Sequence, residues 1–183
     1  MLDRYEVNAW VDDFNGYCLK LGDESNWYIV GDNENKDLVD KLASIMNLKL
    51  CSLGNDCQRM IFSKLSNLDL PVSHNTGWKF YDYKSMRIWY HEIIPDIICE
   101  VVKKPDELVE YTLLWNSLIP IYLQSALKGG IPIHGGLAEY KKQGVIFAAS
   151  GGVGKSTCCR RLPSHWNALC DDETLVVLDK NNT

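Results

Sequence analysis

The chain has 183 residues, 46% of them hydrophobic and 23% charged. That composition is globular and excludes a disordered chain, a collagen-like repeat or a coiled coil. The net charge of −5 gives no basic footprint for nucleic acid or anionic lipid. No run reaches the 18 apolar residues of a membrane-spanning helix, and the N-terminus lacks the basic-then-apolar order of a signal peptide.

The first hundred residues read as an α+β module. Strands are expected over Arg4 to Val11, Gly16 to Leu21 and Trp27 to Val30, separated by turn-forming residues. Asp37 to Leu50 places Leu38, Leu42, Ile45 and Met46 on one helical face. A loop-like stretch, Asn67 to Gly77, precedes the aromatic run Trp78 to Tyr90 and the apolar stretch Ile97 to Val102. The six tryptophans and nine tyrosines read as packing residues rather than as a binding groove, because aromatics dominate core burial. The seven cysteines form no C-x-x-C pair and are odd in number, which reads as reduced thiols in a cytoplasm.

Pro105-Asp106 is a helix start. Apolar residues recur at helical spacing from Leu108 to Ala126, and Pro120 should kink or divide that helix. Lys128-Gly129-Gly130 should end it. The expected division is therefore an N-terminal module over 1–104 and a nucleotide-binding core over 105–183.

The chemistry lies in that core. Leu137 to Tyr140 reads as a strand and Lys141-Lys142-Gln143-Gly144 as its hairpin turn. Val145 to Ala149 is a continuous apolar run, as in a strand buried on both faces. It leads into Ser150-Gly151-Gly152-Val153-Gly154-Lys155-Ser156-Thr157, the glycine-rich loop and helix start of a P-loop. Glycines let successive backbone N–H groups turn toward a phosphate with no Cβ in the way. Lys155 would set a positive charge against the β and γ phosphates, and Ser156 would offer a hydroxyl to Mg²⁺. The first glycine of G-x-x-x-x-G-K-[ST] is replaced by Ala149, so the backbone there must avoid positive φ. Downstream, Asp171-Asp172-Glu173 stands at the end of a short strand, Asn167 to Cys170. Phosphoryl transfer needs a carboxylate near the metal and a base near the attacking hydroxyl, and an aspartate pair supplies both. His74, His91, His134 and His165 read as structural when each is taken alone, and Arg160 and Arg161 as a solvated helix face.

The segment Ile133-His134-Gly135, the glycine-rich loop and Cys170-Asp171-Asp172-Glu173 together resemble the nucleotide-binding core of HPr kinase/phosphorylase, of the PEP-carboxykinase-like P-loop group. Gly154 to Pro163 is most similar to HPr-kinase-like proteins of SynChlorMet radical-SAM peptide-modification cassettes. The resemblance covers about residues 113 to 178 and implies an α/β P-loop core. It implies that Gly151, Gly152, Val153, Gly154, Lys155, Ser156 and Thr157 bind ATP, and that Ser156 and Asp171 ligate Mg²⁺. It makes Asp172 the base for the acceptor's proton, with His134 beside it and Lys155 on the phosphates. The implied function is a kinase acting on a hydroxyl of a peptide, protein or small molecule. Ala149 and Gly151 stand where that family carries glycine and serine, and no part of the chain matches the family's further loop and basic residues. The second reading is accordingly a non-catalytic nucleotide-binding module of a peptide-maturation system. A GTPase is disfavoured, since no Asn-Lys-x-Asp motif occurs. Residues 131 to 178 supply fewer strands than a full P-loop sheet, so an exposed sheet edge and self-association are expected.

Overall fold

The structure is a computed structural model describing residues 15–54, 57–67, 77–103 and 106–178; the expected strand over Arg4 to Val11 and most of the Asn67 to Gly77 loop lie outside these. It is a mixed α/β structure, mostly sheet, in two compact units, residues 1–120 and 121–183.

The first unit holds a seven-stranded mixed sheet. Its strands are β1 (Gly16–Lys20), β2 (Asn26–Gly31), β3 (Lys49–Cys51), β4 (Gln58–Ser63), β5 (Trp78–Asp82), β6 (Met86–His91) and β7 (Ile97–Val101). They lie in the order β3-β1-β2-β4-β7-β6-β5. The central strands β2, β4 and β7 are parallel neighbours and nearly every residue of them is buried. That is what their apolar runs require, since parallel strands are covered on both faces. One face carries a cross-strand row of Val30, Ile61, Ile98 and Trp89, joined by Tyr28 and Trp78. Trp27, Trp78 and Trp89 are thus core residues, and Trp89 donates its indole N–H to Glu100 at 2.9 Å.

Helix α1 (Lys36–Ile45) packs its Leu38, Val39, Leu42 and Ala43 face inward. A Cβ at Gly31 would fall 2.9 Å from Val39, so glycine sets how closely the helix approaches β2. The helix is shorter than the periodicity predicts. Met46 caps it, Asn47 turns left-handed at φ 52°, and the chain is then taken into β3. Buried Asp32 fixes the junction, accepting from Ser63 Oγ at 2.8 Å and from the Asn35 side chain at 2.7 Å. Arg59 Nε and Nη2 both donate to Asp96 Oδ2, and the Arg59 backbone N–H donates to Oδ1, tying β4 to the chain entering β7. Cys18 and Cys51 are bonded as a disulfide across β1 and β3, which corrects the reading of all seven cysteines as free thiols. The two sit diagonally in the antiparallel register, where side chains share a face and come within reach.

The long helical periodicity resolves into α2 (Glu107–Ser117) and α3 (Ile119–Leu127). Pro120 is the second residue of α3, where its missing N–H costs nothing but continuation from α2 is blocked. Gly129, at φ +88°, closes α3.

In the second unit a long strand, β8 (Ile131–Tyr140), pairs with β9 (Gln143–Ala148) in an antiparallel hairpin. Its two-residue turn is Lys141-Lys142, both at positive φ, as a type I′ turn demands. On the other side of β8 lie β10 (Asn167–Cys170) and β11 (Glu173–Val176), both antiparallel to it. The pairs Leu137 with Cys170 and His134 with Glu173 share one register, so β10 and β11 are a single line of chain. Within β10 the register shifts by one residue between Ala168 and Cys170, a bulge, and between the two strands the ladder is interrupted at Asp171 and Asp172, opposite Gly136 and Gly135. β9 is at most half-buried, which corrects the expectation that Val145 to Ala149 is buried on both faces. It is an edge of this small sheet, with nothing paired on its outer side among the described residues.

Candidate functional site

The loop after β9 turns through Gly151 to Gly154 into a short helix, α4 (Lys155–Arg160). Left-handed backbone falls on Gly152 (φ +80°) and Gly154 (φ +98°), where a side chain would be strained, and not on Ala149. Alanine at the first loop position is therefore compatible with the turn. A Cβ built at Gly151 or Gly152 would meet nothing within 4 Å, so these residues border open space. No side chain caps the N-terminus of α4.

Two further glycines set the platform. A Cβ at Gly136 would come within 2.5 Å of Cys159 Sγ, so this glycine admits α4 onto β8. A Cβ at Gly135 would lie 3.1 Å from the Phe147 carbonyl, a milder crowding, and the Gly135 carbonyl accepts from Thr174 Oγ1 at 3.1 Å. Cys159 Sγ also faces the Cys170 carbonyl at 3.7 Å, linking α4 to the strand that ends at the acidic pair. Burial is the main cause that pushes the Cys159 thiol upward, so it is a packing thiol rather than a nucleophile.

Three of the expected site residues meet. The Lys155 ammonium lies 3.1 Å from His134 Nε2 and donates to the Ala149 carbonyl at 2.9 Å and the Ser150 carbonyl at 3.4 Å. His134 Nδ1 lies 3.2 Å from Asp172 Oδ1. An ammonium only donates, so His134 Nε2 accepts and the ring proton sits on Nδ1, facing the carboxylate. Lys155, His134 and Asp172 therefore form one hydrogen-bonded chain from the loop to the strand interruption. About half of the His134 and Asp172 side chains remains exposed, so the chain opens to solvent.

The other expected residues are placed but not joined to that chain. Asp171 faces the mostly exposed Arg160 guanidinium at 3.9 Å. Ser156 and Thr157 occupy the first turn of α4. Among the described residues no group of three or more His, Cys, Asp or Glu is placed to hold a metal ion. Ser156 with Asp171 would be two protein ligands, and Mg²⁺ commonly takes no more than that beside phosphate oxygens and waters. The open space at Gly151 and Gly152 leaves room beside the loop that an anion would need. In the sequence Glu173 is singled out only as part of the acidic run, with no role of its own: one carboxylate oxygen, Oε2, is buried with no hydrogen-bond partner. Burial, with a hydrogen bond to Glu173, pushes the Tyr122 hydroxyl well above its ordinary range. Nothing in the spacing could reveal that pair, since α3 and β11 lie about fifty residues apart in sequence.

Charge is divided between the units. Residues 121–183 carry seven Lys and Arg against five Asp and Glu, while residues 1–120 carry twelve against nineteen. The loop thus sits on the net-positive part of an acidic chain, as an anion site favours.

Residues 97–183 match the family model of the SynChlorMet cassette protein ScmC, a little under half of the chain. The match starts at the first residue of β7 and takes in the whole second unit. No curated protein and no solved structure matches the chain significantly.

Proposed function

We propose that the protein is a Mg-ATP-binding phosphotransferase that modifies a hydroxyl group of a peptide, protein or small molecule. The observation that carries this reading is the hydrogen-bonded chain of Lys155, His134 and Asp172 beneath a loop whose glycines border open space. Main-chain amides of Gly151 to Ser156 and the ammonium of Lys155 would hold the β and γ phosphates. Ser156 and Asp171 would hold Mg²⁺, which supplies charge neutralisation on the phosphate oxygens. The His134–Asp172 pair, which lies beside the Lys155 ammonium, would receive the proton of the attacking hydroxyl. The likeness of residues 97–183 to a SynChlorMet cassette protein supports a peptide as the acceptor. The resemblance to HPr kinase supports the reaction class.

The test is nucleotide binding by calorimetry with and without Mg²⁺, followed by transfer of labelled γ-phosphate to candidate acceptors. Lys155→Ala should weaken ATP binding at least tenfold, the loss of a charge-assisted contact. Equal affinity in the variant would sink the proposal. Tight Mg-ATP binding with no transfer to any acceptor would favour the second reading, a nucleotide-binding module without catalysis. The open, half-exposed setting of Asp172 is the observation on that side.

A further inference from the structure

We infer that Lys155 is a latch on His134, so that nucleotide entry uncovers the catalytic base, and that this base is His134 Nε2 with Asp172 as its positioning residue. The inference rests on the phosphotransferase reading above and specifies the regulation of that site.

The atoms require this order of events. In the resting chain the Lys155 ammonium is shared among His134 Nε2, the Ala149 carbonyl and the Ser150 carbonyl. The ring's only lone pair is therefore occupied, and its N–H is committed to Asp172 Oδ1 at 3.2 Å. The base is masked by the group that must bind phosphate. A polyphosphate in the loop offers Lys155 anionic oxygens, which outbid a neutral nitrogen and two carbonyls. As the ammonium swings to the phosphates, Nε2 is left bare and aimed at the place the ammonium vacated, beside the γ phosphate. Asp172 holds the ring in the tautomer that keeps that lone pair available, as a carboxylate does behind any histidine base.

The step balances without a further reactant. The acceptor's hydroxyl oxygen forms a bond to the γ phosphorus. The bond from that phosphorus to the β–γ bridging oxygen breaks, and its electron pair leaves with ADP. The hydroxyl proton passes to His134 Nε2, giving an imidazolium stabilised by the Asp172 carboxylate, which then loses the proton to water. An acceptor arriving before the nucleotide meets a masked base, so wasteful encounters are suppressed and binding order is nucleotide first.

Two measurements test it. In the wild-type chain, ¹⁵N shifts of His134 should show a protonated Nδ1 and an unprotonated Nε2, and Mg with β,γ-imido-ATP should move the Nε2 signal. A protonated Nε2 in the free protein overturns the latch. In His134→Ala, affinity for β,γ-imido-ATP should rise about fivefold, because Lys155 is no longer held back. Phosphoryl transfer should fall about a hundredfold or more, with part of the rate restored by imidazole in solution. Unchanged or weaker nucleotide binding in this variant overturns the latch while leaving the phosphotransferase reading intact. Transfer within tenfold of wild type, or no imidazole rescue, overturns His134 as the base. Failure of the wild-type chain to bind the nucleotide overturns both readings.

Discussion

At the scale of single residues, glycines do different jobs on the two sides of the loop, and substitution separates them. Gly136 is a contact residue: its missing Cβ lets the Cys159 sulfur come in. Gly136→Ala should destabilise the second unit by about 1–3 kcal/mol through overpacking, read as a lower urea midpoint. Gly151 has neither a positive φ nor a neighbour within 4 Å of an added methyl. Gly151→Ala should therefore leave stability within about 0.5 kcal/mol of wild type, yet weaken nucleotide binding if phosphate comes against the backbone there. Loss of stability in Gly151→Ala, or unaltered affinity, would contradict the cradle. Most of these residues were visible in the sequence because glycine, lysine and aspartate at fixed spacing carry their own chemistry. The role of Gly135 and Gly136 was not, since it depends on what packs against them from α4 and β11.

At the scale of elements, period and punctuation predicted more than boundaries. The division of one long helical pattern at Pro120 followed from the missing N–H. The end of α1 did not follow from its pattern, because Leu48 and Leu50 continue the apolar spacing while the backbone has already turned at Asn47. The buried-strand reading was misplaced for a physical reason. Apolar continuity is shared by β2, β4, β7 and β9, but only the first three have parallel neighbours and cover on both faces. The disulfide was hidden for another reason: 33 residues separate its cysteines, and only the β1–β3 register brings them together. The hairpin between β8 and β9 offers a clean test. Lys141 and Lys142 both hold left-handed backbone, which non-glycine residues resist. Replacing the pair by Asn-Gly should raise stability by about 1 kcal/mol, with the thermal midpoint moving up by a few degrees. A fall in the midpoint would mean that the turn is not type I′ in solution.

At the scale of the whole molecule, the second unit has a small sheet with β9 on one edge and the β10–β11 line on the other. Open edges of this kind present unpaired backbone groups, and natural chains pair or cover them. We therefore expect self-association, measured as a mass that rises with concentration in light scattering; a monomer across the whole range would refute it. Among the described residues no helix is long and apolar enough to cross a membrane. The site itself is assembled from one stretch of chain: β8, the loop, α4 and the strand interruption all fall between Ile131 and Asp172. That compactness is why local motifs pointed to it, whereas the order of the first unit's sheet could not be drawn in advance because its β1–β3, β2–β4 and β4–β7 pairings skip over intervening chain.

The break between β10 and β11 has a consequence for insertions and deletions. Because Cys170 and β11 share one register on β8, losing or gaining a single residue at Asp171-Asp172 would slide β11 by one step. Thr174, now buried and bonded to Gly135, would be turned outward, and neighbouring exposed positions would be driven inward. The spacing from Cys170 to Glu173 should thus tolerate swaps of residue type far better than any change in length.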